Sequence, residues 1–250
     1  ANNIAMGQNA SGASISGACN VAIGTSALAA ATIGLKNIAI GQLAMGAVTT
    51  GAANDNVAIG TSALAGAAGT AGTDNVAIGK TAMTKLTTGS NNVAVGLAAS
   101  CCLTTGNNNV AMNKNAIGKM TIGNCNVAIG ICSMGDVTTG QADDNIAIGA
   151  YALVGTASTT GDCNVAVGWR ALQGNTTGSN NVGIGLCAGY ANDTGSNNIS
   201  IGWCAGKTTG SGEVINIGCK VDNTTAATTC IGGGCVMATQ FTATSDCRSK

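Results

Sequence analysis

The chain has 250 residues, with 39 Gly, no Pro, no His and five aromatic side chains, and ten basic residues balance ten acidic ones to a formal net charge of zero. With 8% charged residues it lacks the clustered Lys and Arg that counterion release needs, which excludes nucleic acid and anionic membranes as electrostatic partners. Without His there is no catalytic triad, Glu213 is the one Glu, and no CxxC pair occurs, so neither enzyme chemistry, a metal nor a cofactor is expected.

In chain order, one motif dominates: Asn, a β-branched residue, Ala, an apolar residue, Gly. Its Asn positions are Asn3, Asn20, Asn37, Asn56, Asn75, Asn92, Asn109, Asn126, Asn145, Asn164, Asn181 and Asn198, spaced by 17 or 19 residues. A degenerate thirteenth copy is read at Asn216-Ile217-Gly218. Val or Ile always follows the Asn, and the third residue is Ala except at Gly183 and Ser200. This period-2 alternation predicts a short strand per copy. Asn113 replaces the Gly once, and Asn is the non-Gly residue most tolerant of left-handed backbone, so the position reads as a corner with positive φ.

Past each corner comes a small cluster, such as Ala27-Leu28, Ala44-Met45, Ala63-Leu64, Ala82-Met83, Ala152-Leu153 and Ala171-Leu172, read as a second short strand. Segments such as Thr87-Thr88-Gly89-Ser90 and Thr176-Thr177-Gly178-Ser179 then turn back to the next Asn. The prediction is an all-β repeat solenoid, a β-roll with two short strands per 17–19 residue coil and 12–13 coils stacked into a rod about 60 Å long. Residues 1–218 are expected to form the shaft and 219–244 a degenerate terminal repeat or cap. The absence of Pro suits strands whose N–H groups must all bond along the stack, and the entering Asn residues suit a ladder of stacked amides. Apolar stretches are too short to span a bilayer, so no membrane insertion is expected. The chain opens at Ala1 with no initiator Met or leader-like segment, which reads as a processed product or a fragment.

The 19-residue spacings fall in two adjacent pairs, 37 to 56 to 75 and 126 to 145 to 164. Two extra residues in neighbouring turns predict two small ridges. If Val and Ile fill the coil, the column Ala5, Ala22, Ala39, Ala58, Ala77, Ala94, Ala111, Ala128, Ala147 and Ala166 points outward. So long an apolar strip is expected to meet other copies of the chain, with a parallel homotrimer as the leading arrangement. The reverse assignment, Ala inward and Val/Ile at the interface, remains open.

Four of the five aromatics, Tyr151, Trp169, Tyr190 and Trp203, are read as lying at or just past the Gly corners, where they are candidates for stacking on sugar rings or for capping the assembly. The twelve Cys follow no disulfide framework and read as small, buried, reduced side chains, with Cys187 stacked on Cys204 and Cys132 in the same slot.

The motif Asn-Val-Ala-Ile-Gly with Thr-Thr-Gly-Ser-Asn-Asn turns resembles the repeats of trimeric autotransporter adhesin heads and, more closely, of bacteriophage tail-fibre and spike proteins. Residues Phe241 to Lys250 resemble the junction at which phage fibres join an intramolecular chaperone of the endosialidase type, although Ser249 stands where Leu is usual. The resemblance implies that 245–250 is the start of a removed or absent C-terminal chaperone, with single-turnover self-cleavage beside Ser245 and Asp246 in which Ser245 takes part. It also implies a structural fibre shaft in a virion, with other tail proteins and a host receptor, a glycan among the options, as partners. An adhesin head on a bacterial surface is the alternative. An ice-binding solenoid is a third reading, which requires a flat face of Thr.

Overall fold

The computed structural model describes residues 2–12, 17–30, 34–47, 53–66, 72–137, 142–155, 161–207, 212–222 and 229–232. Within them are fourteen three-residue strands: β1 (Ile4–Met6), β2 (Val21–Ile23), β3 (Ile38–Ile40), β4 (Val57–Ile59), β5 (Val76–Ile78), β6 (Val93–Val95), β7 (Val110–Met112), β8 (Val127–Ile129), β9 (Ile146–Ile148), β10 (Val165–Val167), β11 (Val182–Ile184), β12 (Ile199–Ile201), β13 (Ile215–Ile217) and β14 (Thr229–Ile231). They form one parallel sheet in strict chain order. Every coil sets its strand on the next, so the chain is a β-solenoid, and no helix occurs among the described residues.

Register holds across both coil lengths. Ala22 pairs with Ala39 across 17 residues, and Ala39 pairs with Ala58 across 19. The extra residues of the longer coils are therefore absorbed outside the strand; the predicted ridges lie largely outside the described residues. The stack also runs past residue 218, because β14 pairs with β13. In the thirteenth copy Val214, not Asn216, takes the place of the entering Asn: its N–H donates to Asn198 Oδ1 at 2.9 Å. Asn216 sits where Ala stands elsewhere, opposite Ser200.

Among the described residues each coil contains one strand, not two. The clusters at Ala27-Leu28, Ala44-Met45, Ala152-Leu153 and Ala171-Leu172 are turns, since Leu28, Met45, Leu153 and Leu172 have φ of 52°, 51°, 48° and 48°. Ser26, Ser62 and Thr81, two residues past their corners, also have positive φ, at 53–56°. Left-handed residues this close together reverse the backbone too sharply for an extended segment. The corner itself behaves as its sequence predicts: Gly60 has φ 127° and Asn113 φ 96°, and Asn113 Oδ1 accepts the N–H of Lys114 at 2.8 Å.

The Ala column points inward. Ala22, Ala39, Ala58, Ala77, Ala94, Ala111, Ala128, Ala147 and Ala166 are buried to 1% exposure or less, while Ala5 on the first strand is exposed. The reason is cross-section. The coil already holds a second Ala column (Ala27, Ala44, Ala63, Ala82, Ala99) and one large side chain beside it, such as Leu28, Met45, Leu64 or Met83. At about 4.8 Å between coils, an inward row of Val and Ile would overfill that space.

Two polar ladders run along the rod, one from Asn3 to Val214 and a shorter one whose unbroken run is Thr73 to Ser196. Every Oδ1 from Asn3 to Asn198 accepts the backbone N–H of the corresponding residue on the next coil, at 2.8–3.0 Å. From Asn20 to Asn164 each Nδ2 also donates back to the preceding Oδ1 and to a carbonyl on the next coil, as Asn92 does to Asn75 Oδ1 and Gly106 O at 3.0 and 2.8 Å. The buried amides are thereby satisfied, as burial of polar groups demands.

The second ladder lies two residues before each Asn and has the opposite polarity. The backbone N–H groups of Thr73, Ser90, Asn107, Asn124, Asp143, Asp162 and Ser179 each donate to the side-chain oxygen of the equivalent residue one coil later, at 2.7–3.1 Å. Any short side chain with an acceptor oxygen serves, which explains why Thr, Ser, Asn and Asp interchange there.

Candidate functional site

Because Ala faces inward, the first and third residues of each strand face outward. Ile59, Ile78, Ile129, Ile148 and Ile184 are 36–40% exposed, and the Val or Ile that begins each strand is half-buried or exposed. The row continues around the corner, where Leu97, Ile131, Trp169, Leu186 and Trp203 each follow the corner residue and are exposed. Fourteen strands at about 4.8 Å give this apolar strip a length near 60 Å. It is built mainly of Val and Ile, with some Met, Leu and Trp, whereas an ice-binding face was expected to show Thr.

The aromatics separate into two places. Trp169 and Trp203 stand two coils apart in the column after the corner, with Leu186 between them. The Arg170 guanidinium lies 4.3 Å from the Trp169 ring centroid and 6.0 Å from that of Tyr151, and Lys220 Nζ lies 4.6 Å from the Trp203 centroid. These rings are covered by cations of the same chain, a favourable cation–π geometry. Tyr190 does not lie near a corner: it is five residues past Gly185 and lines a separate lateral groove with Asp136, Gln173, Thr176 and Asp193.

The thiols are not uniformly buried. Cys19, Cys125 and Cys163 are exposed, Cys230 is buried, and the rest of those described are half-buried. Cys187 does meet Cys204 one coil away; desolvation, then the neighbouring Cys204 thiol, raises its pKa. Cys101 Sγ donates to Gly118 O at 3.1 Å and lies 3.7 Å from Cys102 Sγ. Partial burial, then Cys102, pushes the Cys101 thiol up to about 11.

Among the described residues no cluster of three or more His, Cys, Asp or Glu could hold a metal, and no helix is long and apolar enough to cross a membrane. Ser245 and Asp246 lie outside the described residues. Comparison with known proteins finds no matching family model, no matching curated protein and no matching solved structure.

Proposed function

We propose that the chain is the shaft of a trimeric attachment fibre of a virion tail, in which three parallel rods pack along their Val/Ile strips. The observation that carries this reading is the strip itself. With a length near 60 Å and a width of roughly 10 Å it offers about 600 Å² per chain, close to what one partner contributes to a stable interface and at the upper end of what monomers leave bare. Its strand residues are mostly β-branched and repeat with the coil, so a similar contact geometry recurs from level to level of the rod.

A shaft of this kind works by length and stiffness rather than turnover. Each strand bonds to both neighbours, so the rod transmits force along its axis through hydrogen bonds on every coil, while the receptor and the remaining tail proteins engage at its ends or flanks. The repeat pattern and its resemblance to phage fibre repeats support placing it on a virion.

Sedimentation velocity of the full chain tests the assembly. The expected particle has three times the 23.9 kDa chain mass. Ile78→Lys with Ile129→Lys, both at exposed strip positions, should yield folded monomers. A wild-type monomer at micromolar concentration would overturn the proposal.

A further inference from the structure

The lateral groove has a volume of about 730 Å³, within the usual range of small-ligand sites, and it is made by four consecutive coils. Asp136 comes from the coil begun by Asn126, Val154 and Gly155 from that of Asn145, and Gln173, Gly174, Thr176 and Thr177 from that of Asn164. Tyr190, Ala191 and Asp193 come from the coil of Asn181. It therefore runs parallel to the rod for about 14 Å, three coil spacings. These residues lie about half a coil from the strand, so the groove and the Val/Ile strip occupy different parts of the coil.

The lining is mixed in a particular way. Tyr190 supplies an aromatic ring, and unlike Trp169 and Trp203 it has no cation of the chain over its face among the described residues. Thr176 Oγ1 donates to Asp193 Oδ1 at 2.6 Å, which fixes that carboxylate while leaving it further acceptor capacity. Asp136 is held by Lys119 Nζ at 2.6 Å. Among the described residues the lining includes two carboxylates, of which Asp136 is the one paired with Lys119, and neither Lys nor Arg.

We propose that this groove binds a neutral oligosaccharide, laid along the rod axis, with one sugar face on Tyr190 and its hydroxyls donating to Asp193 and Asp136. Sugars combine an apolar ring face with many hydroxyl donors, which is the complement of one half-buried aromatic among acceptors. The Asp193 carboxylate, bonded to the Thr176 hydroxyl, disfavours uronic or sialic acid chains by like-charge repulsion. The proposal rests on the groove's own chemistry and holds whether or not the rods associate through their strips.

Isothermal titration and saturation-transfer difference NMR on the full-length chain test it, with maltohexaose, xylohexaose and chitohexaose as neutral probes, oligogalacturonate as the acidic probe and hexalysine as a basic peptide. At least one neutral hexasaccharide should bind. Tyr190→Ala and Asp193→Asn should each weaken it about tenfold, while Tyr190→Phe, which keeps the ring, should stay near wild type. Asp193 is exposed, so its variant remains informative even where Tyr190→Ala misfolds. Failure of all three neutral probes, preference for oligogalacturonate or for hexalysine, or binding indifferent to Tyr190→Ala in a folded variant would each overturn the assignment. The particle mass from sedimentation is untouched by any of these outcomes, so a failure here stays separate from a failure of the fibre reading.

Discussion

Asn92 Oδ1 accepts both the backbone N–H and the side-chain Nδ2–H of Asn109, each at 3.0 Å, one coil further along the rod. Asn92 in turn gives Asn75 Oδ1 the same two donors at 3.0 Å. One side chain thus ties three coils together in an interior closed to water.

Replacing Asn92 with Ala leaves Asn109 N–H and Gly106 O without their partner, in a buried setting where each orphan costs about 1–3 kcal/mol, and takes from Asn109 Nδ2 one of its two acceptors, Gly123 O remaining. The expected loss is about 3 kcal/mol or more, seen as a lowered melting temperature by circular dichroism. Hydrogen exchange should localise the damage to the coils of Asn75 to Asn109. Uniform exchange along the rod would contradict a ladder that acts rung by rung.

Gly60→Ala tests the corner. Its φ of 127° is one that L side chains rarely adopt, and a Cβ there would stand 2.7 Å from Gly79 O. Strain plus collision with backbone predicts a loss of about 2–4 kcal/mol. Gly60→Asn should be milder, as Asn113 holds the same corner elsewhere. Equal loss for the two would show that space, not φ, decides.

The inward column is tested by opposing changes on one strand. Ala77→Leu forces extra methylenes into a filled interior and should cost about 1–3 kcal/mol. Ile78→Thr, on the outward face, should leave the isolated chain's thermal stability within about 1 kcal/mol and act mainly on association. The reverse ranking would restore the outward Ala assignment.

Cys101 gives a pH signature. Its thiol holds its proton to about pH 11 in the folded chain, whereas an unfolded thiol titrates near 8.5. Only the unfolded state then loses this proton between those values, so the site's contribution is constant below about pH 8.5 and stability falls as pH rises above it. Cys101→Ser should flatten part of that alkaline slope in denaturation curves from pH 8 to 10. At pH 8.5 iodoacetamide should modify exposed Cys19 well before Cys101. Faster labelling of Cys101 would refute the raised pKa.

The repeat and the strand were legible because Val or Ile after Asn, Gly at the corner and fixed spacing all pointed to one geometry; the Asn ladder followed from stacking identical amides. What the spacing did not reveal was which strand face looks inward. Ala77 and its neighbours Val76 and Ile78 are all apolar, and period-2 alternation distinguishes faces only when one is polar. Volume decides instead, and it depends on side chains from the opposite wall, such as Met83. The second strand failed because Leu28 and Leu172 look strand-like by composition yet adopt left-handed φ, which no apolar pattern announces. The outer ladder left a trace, an acceptor two residues before each Asn from Asn54 to Ser196, hidden by its changing chemistry. Tyr190 stands five residues past Gly185, on the far side of the turn that follows the corner, and aromatic content alone does not separate that place from the corner itself.

The uninterrupted amide ladder also governs how such a protein changes length. Each Asn is matched only by residues of adjoining coils, so sliding one level past another by a single residue breaks several buried bonds at once. Gaining or losing a complete 17-residue level reconnects every rung to an equivalent neighbour. Reach is therefore quantised in steps of about 4.8 Å, and in-frame duplication or deletion of whole levels is the permitted way to lengthen or shorten the molecule, while partial ones are not.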